Sequence, residues 1–198
     1  MENKPTQTYI PGRVLETDYP LIDNDPHFKR VIGYARPTDC LWGLAAATIA
    51  PGGLWLMEKV APSYVGRGGL PKAFRLASWL GISGGFLLTY QLSSLRFYGV
   101  LENKREIEMD MTEMVDKVKR GEPLYGVSSL TPNMQGVAAR QSRYSAVFFG
   151  VMPWFNFVNH NQHGVDTAKY YQQAETELEA ERLSKQGSDP ATAEDKIL

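Results

Sequence analysis

The sequence predicts an all-α membrane protein, a two-helix transmembrane hairpin set between an extended amino-terminal segment and a long, partly helical carboxyl-terminal tail. Three observations lead there. The 198 residues include 21 Lys or Arg and 22 Asp or Glu, for a formal charge of -1, yet none of these falls within residues 40–57 or 76–95. Each run, at about 1.5 Å per helical residue, approaches the thickness of a hydrocarbon core of about 30 Å. Outside the two runs, only the stretch after residue 95 is long enough for even a small core.

The same composition excludes several classes of function. A lone cysteine, Cys40, makes neither an intramolecular disulfide nor a Cys-rich metal site. Near-neutral charge, with no Lys/Arg block beyond a pair such as Lys104-Arg105, argues against nucleic acid, which needs many phosphate-facing cations on one surface. Residues 1–10 have neither the apolar core of a secretory signal nor the Arg-rich amphipathic pattern of a transit peptide. No ionisable residue lies inside either run, so the proton relays and counter-ions of a pump or transporter are missing.

Taken in order, residues 1–39 are read as an extended lead-in. The first span, about 40–57, is bracketed by Asp39 and Glu58, and Pro51-Gly52-Gly53 is expected to kink or fray it. Backbone groups freed that way in lipid need a protein neighbour. The loop, 58–75, is rich in Gly and Pro and lacks helix or strand periodicity. The second span, about 76–95, is bounded by Arg75 and Arg96, placed to snorkel toward opposite interfaces. Trp42, Trp55 and Trp79 sit near span ends, where indoles favour the interface. Gly43 with Ala47, and Gly81 with Gly85, repeat small residues at a spacing of four, which suits close packing against a neighbouring membrane helix. Both tails then lie on one side. Lys59, Arg67, Lys72 and Arg75 in the loop, set against three cations in each flank, do not decide which side by the positive-inside rule.

The tail, 96–186, is read as amphipathic and interfacial. Ile107, Met111, Met114, Val115 and Val118 line one face of a helix, opposite Glu106, Glu113, Asp116 and Lys117, and Gly121 and Pro123 end it. Its stripe must be buried, on this chain or on a partner. Residues 148–158 are aromatic but too short to span, which casts Trp154, Phe155 and Phe157 as anchors at an interface or on a partner. Residues 165–186 read as an exposed polar helix with Glu181 and Lys185 suitably spaced, and 187–198 as disordered. His160 and His163 share a helix-like spacing with Asp166 near by, but a short-range His pair without a second ligand cluster is an ordinary hydrogen-bonding pattern. No catalytic, cofactor-binding or metal-binding residue is predicted.

Two blocks carry a resemblance. Tyr19-Pro-Leu-Ile-Asp-Asn-Asp-Pro-His-Phe-Lys-Arg-Val-Ile-Gly-Tyr-Ala-Arg-Pro-Thr-Asp39 is similar to the amino-terminal region of the fungal 21 kDa accessory subunits of mitochondrial NADH:ubiquinone oxidoreductase, respiratory complex I. Met109-Asp-Met-Thr-Glu-Met-Val-Asp-Lys-Val-Lys119, Gln135-Gly-Val-Ala-Ala-Arg-Gln-Ser-Arg-Tyr-Ser145 and Trp154-Phe-Asn-Phe-Val-Asn-His-Asn-Gln-His-Gly-Val-Asp-Thr-Ala-Lys-Tyr-Tyr171 resemble their carboxyl-terminal region. The resemblance implies a supernumerary subunit of the membrane arm in the inner mitochondrial membrane, and the two expected spans would make it multi-pass. It would have no catalytic residue or cofactor of its own, and would contribute to assembly and stability by packing on core and accessory membrane-arm subunits. From their places beside the spans, Arg36, Arg75 or Arg96 is expected at anionic phospholipid headgroups such as cardiolipin. The reading from another class is a small stand-alone membrane protein that binds or moves a lipid.

Overall fold

The computed structural model describes residues 16–66, 68–145 and 152–188, and these are all α. The helices are α1 (Phe28–Tyr34), α2 (Pro37–Val60), α3 (Gly69–Phe97), α4 (Lys104–Lys119), α5 (Pro132–Ser145) and α6 (Ala168–Ser188). α2 and α3 pack antiparallel along their length, and α1, α4 and α6 gather with the last turns of α3 into a head at one end. Residues 1–15, Arg67, 146–151 and the tail from 189 lie outside the described residues, and with them most of the stretch expected to be disordered and the start of the aromatic segment.

α2 begins at Pro37, where the missing N–H is one that no helical partner would take, and Asp39 Oδ2 accepts the Arg36 N–H at 2.9 Å. The helix continues through Pro51 to Val60 without interruption. α3 starts after Gly68, whose φ of 96° turns the chain in a conformation that favours glycine. The connection is therefore only 61–68, shorter than the sequence boundaries imply.

Small residues set the approach of the two helices. A Cβ on Gly43 would meet the Thr89 hydroxyl and lie 2.6 Å from the Gly85 carbonyl oxygen. One on Gly85 would meet the Gly43 carbonyl and stand 3.0 Å from Ala47 Cβ, and one on Gly81 would meet the Ala47 carbonyl and stand 3.2 Å from Pro51 Cδ. The close approach lets the Thr89 hydroxyl reach across to the Asp39 carbonyl at 3.2 Å while also bonding the Gly85 carbonyl at 3.0 Å.

The expected two-helix transmembrane hairpin, and with it the multi-pass assignment, does not hold. Among the described residues one helix, Pro37–Val60, is long and apolar enough to cross a membrane, with a mean hydropathy of 1.4 and only 6% of that window buried. The reason is that lack of charge is not the same as apolarity. α3 interrupts its Leu and Phe residues with Ser78, Ser83, Thr89, Gln91, Ser93 and Ser94. Its last turns also belong to the head, where Tyr90, Ser93, Ser94, Arg96 and Phe97 are buried and Ser93 donates to the Val31 carbonyl at 2.7 Å.

The lead-in is not simply extended either. Residues 28–34 close into α1, whose start is capped by His27 Nδ1 accepting the Lys29 N–H at 3.1 Å. Val31 and Tyr34 on α1 join Ile22, Tyr90 and Phe97 in one apolar cluster, with Phe28, Ile107, Met109 and Phe155 packed on it. A second cluster holds Met114, Leu124 and Tyr170, with Met111, Val118 and Tyr125 against it. The apolar stripe of α4 is thus covered by its own chain, largely by α6, which buries Tyr170 and Ala174 instead of being polar all round. α4 ends as expected: Gly121 at φ 69° lets Glu122 N–H reach the Lys117 carbonyl and Gly121 N–H the Val118 carbonyl, each at 2.9 Å.

Candidate functional site

The carboxylates of α4 recur at Glu106, Asp110 and Glu113, one helical face apart from the apolar stripe, and that face turns inward. It meets the arginines that α1 and the start of α2 present. Arg30 reaches Asp110 at 2.5 Å, Asp23 at 3.1 Å and Glu113 at 3.4 Å. The Tyr170 hydroxyl donates to Asp110 at 2.5 Å and the Tyr34 hydroxyl to Glu113 at 2.6 Å. Lys117 bonds Glu113 at 2.5 Å and the Leu124 carbonyl at 3.1 Å. Each Arg30 contact is charge-assisted in a low-dielectric setting, so removing one partner leaves a buried charge exposed to the full desolvation penalty.

Two histidines extend this network into the tail. His163 Nδ1 stands 2.7 Å from Asp23 Oδ1 and its Nε2 stands 2.7 Å from the His160 carbonyl oxygen. Both neighbours are acceptors, so both ring nitrogens carry protons and the imidazole is cationic. Burial opposes that charge, but Asp23, the His160 carbonyl and Asp25 overcome it and hold the His163 pKa above its ordinary value. Burial likewise pushes the Asp23 carboxyl up, and His163 and Arg30 more than reverse it, leaving it below the usual carboxylate range. His160 Nε2 bonds Asp25 at 2.7 Å while its Nδ1 accepts the Gln162 N–H at 3.2 Å. Residues 23–28 and 156–163 are also joined along the backbone, with Phe28 N–H to the Asn156 carbonyl at 2.7 Å and Asn24 N–H to the His163 carbonyl at 3.1 Å.

The sequence candidates fall as follows. His160 and His163 clamp the two ends of the chain together, Asp166 caps α6 by accepting the Ala168 N–H at 2.9 Å, and no group of three potential metal ligands occurs among the described residues. Of the cations expected at lipid, Arg36 forks onto Glu106 at 2.7 and 2.6 Å and touches Glu102 at 3.0 Å, and Arg96 forks onto buried Asp39 at 2.5 and 2.7 Å. Arg75 alone stands exposed. Gly43 and Ala47 are brought against Gly81 and Gly85 within the chain. Phe155 packs on Tyr90 and Phe86, at centroid distances of 4.6 and 6.3 Å, tying the tail to α3. Trp154 bonds Ser142 through its indole at 3.2 Å and stays 41% exposed, and Phe157 lies 4.9 Å from Phe28 at 66% exposure.

Sequence reasoning missed Asp23, Arg30 and Asp110. The carboxylate spacing on α4 was a usable signal, since a charged row beside an apolar one on the same helix leaves little of that helix for water. Nothing in the arrangement resembles a reaction centre. The cavity beside this network, about 210 Å³, is lined by His27, Lys29, Arg30, Lys117, Asn159 and His163 among others, and of these His27, Arg30, Lys117 and His163 are engaged with protein neighbours. Gly81-Ile-Ser-Gly-Gly85 has the GxSxG spacing of a hydrolase nucleophile, but it lies in mid-helix, where the strand-to-turn setting that exposes such a serine is absent.

Comparison with known proteins places the chain. The family model described as NADH-ubiquinone oxidoreductase complex I, 21 kDa subunit, matches residues 16–102, and the C-terminal model of the same subunit matches 111–193. The NADH-ubiquinone oxidoreductase 20.9 kDa subunit of Neurospora crassa is 68% identical over 188 residues, covering 95% of this chain and 100% of that protein. The chain belongs to the 21 kDa subunit family of mitochondrial complex I, as an accessory subunit with a structural rather than catalytic part in the respiratory chain.

Proposed function

We propose that this subunit sits in the membrane arm of complex I, enters the inner mitochondrial membrane through α2, and supports assembly and stability by packing on membrane-arm subunits and phospholipid. One observation carries the reading. The buried charges of the head are paired within the chain, whereas Leu41, Trp42 and Ile49 of α2 and Leu76, Trp79 and Leu80 of α3 are all more than half exposed. A contiguous apolar surface of that kind is an aggregation hazard in water and an asset in lipid or against a protein. The two helices divide the task by composition: α2 is apolar enough for acyl chains, and the more polar α3 suits a neighbouring subunit. Trp154 and Phe157, exposed where the tail meets α3, mark the level of the membrane interface.

The test uses mitochondria. The chain should resist alkaline carbonate and co-migrate on native gels with the membrane arm after mild dissociation of the complex. Its deletion should lower the amount of assembled complex without altering NADH oxidation per assembled complex. Release by carbonate, or migration with the hydrophilic arm alone, overturns the proposal.

A further inference from the structure

We propose that the end of the α2–α3 pair remote from the head binds anionic phospholipid headgroups through Lys59, Lys72 and Arg75. The inference deepens the membrane reading above and rests on it. At the head end Arg30, Arg36 and Arg96 are each held by carboxylates. At the other end, Lys72 and Arg75 are exposed on the first turns of α3 and neither forms an ion pair among the described residues. Their spacing of three puts them on one face. Lys59, in the last turn of α2, has its Nζ 4.5 Å from the Trp55 ring centroid. Glu58 is the one acidic residue between Asp39 and Glu102, and both its oxygens lie 3.2 Å from the Ser63 N–H, so it caps the turn.

The surroundings select a bilayer over water. Val60, Tyr64 and Val65 are exposed beside these cations, Tyr64 at 92%. An indole carrying an ammonium over its face, followed in the chain by exposed apolar side chains, is the mixture that headgroup regions accommodate, with the lysine stem along the apolar layer and its charge at the phosphates. Neutral phospholipid would leave three cations facing one engaged carboxylate, and an anionic lipid supplies the missing charge.

The experiment is native mass spectrometry of the full chain, purified in mild detergent and given phosphatidylglycerol or phosphatidylcholine of matched acyl length. A cation near an anionic surface is worth roughly a fivefold gain in binding. The triple variant K59Q/K72Q/R75Q should therefore lose phosphatidylglycerol by on the order of a hundredfold while keeping phosphatidylcholine, and the head-end control K29Q/K104Q should change neither. Equal retention of both lipids by the unaltered chain, or undiminished phosphatidylglycerol on the triple variant, overturns the proposal and hands these cations to acidic groups of a neighbouring subunit. Carbonate extraction of the same variants reads the membrane assignment by itself: a chain that stays embedded yet shows no lipid preference defeats this proposal alone.

Discussion

In the head, Asp23, Asn103 and Glu106 are almost wholly out of solvent, each against a partner of opposite charge or complementary hydrogen bonding. Along α2, Leu41, Trp42 and Ile49 are exposed, and what is buried is Asp39 and a glycine. The head therefore buries charged groups beside its two apolar clusters, whereas α2 buries almost nothing along its length, for different reasons. The head packs two apolar clusters and closes them with a dense set of charge-assisted bonds. The helix pair leaves its apolar flanks free because their covering comes from outside the chain. Stability should accordingly depend on ion pairs in one region and on close backbone approach in the other.

That contrast is most sharply tested at Arg30. Arg30→Met leaves Asp23, Asp110 and Glu113 without their shared guanidinium and should destabilise the head by about 3–5 kcal/mol, read as denaturant unfolding of the purified chain. A change under about 1 kcal/mol would mean that the apolar clusters, not the charges, hold the head. Next comes Gly85→Leu, whose side chain must displace the Gly43 backbone and should cost about 1–3 kcal/mol together with part of the incorporation seen on native gels. Gly84→Leu, one residue away with open space around its Cβ position, should leave the thermal midpoint of the isolated chain unchanged. Equal effects at the two sites would sink the claim that these glycines set the interhelical distance.

A gentler probe is pH. His163 has a raised pKa, so its contribution is fully present below its ordinary value of 6.5 and fades as pH climbs through the folded value above that. Asp23 has a lowered one, so its contribution is present above 3.8 and fades as pH falls through the folded value beneath it. The head should be most stable between about 4 and 6.5, with the alkaline limb flattened in His163→Gln when melting is followed across pH. The smallest effect is expected at Lys119, half-buried between Glu177 at 2.8 Å and Glu181 at 3.0 Å on the surface, where Lys119→Gln should leave melting nearly unchanged.

How far the sequence could be read followed the range of the interactions. α2 and the end of α4 were legible because each is a local pattern, a long apolar run or a single glycine. The second span was misjudged because a run free of charges hides its serines and glutamine. Arg36 and Arg96 looked like lipid-facing cations because a flanking arginine reads the same in sequence whether phosphate or carboxylate awaits it. The Asp23–His163 and Asp25–His160 pairs join residues 140 and 135 apart, and nothing periodic announces such a meeting. The family resemblance reached the assembly, but not this architecture.

Those same long separations impose an order of events on a chain made from its amino terminus. Asp23 and Asp25 emerge early and wait without their histidines until nearly the whole polypeptide exists. The packing of α2 on α3 brings residues 36 and 97 to the same end, which shortens the effective loop that His160 and His163 must close. A chain cut short before residue 156 would keep its paired helices and the Ile22 and Asp23 bonds to the Phe97 carbonyl, but Asp23 and Asp25 would lack their histidines.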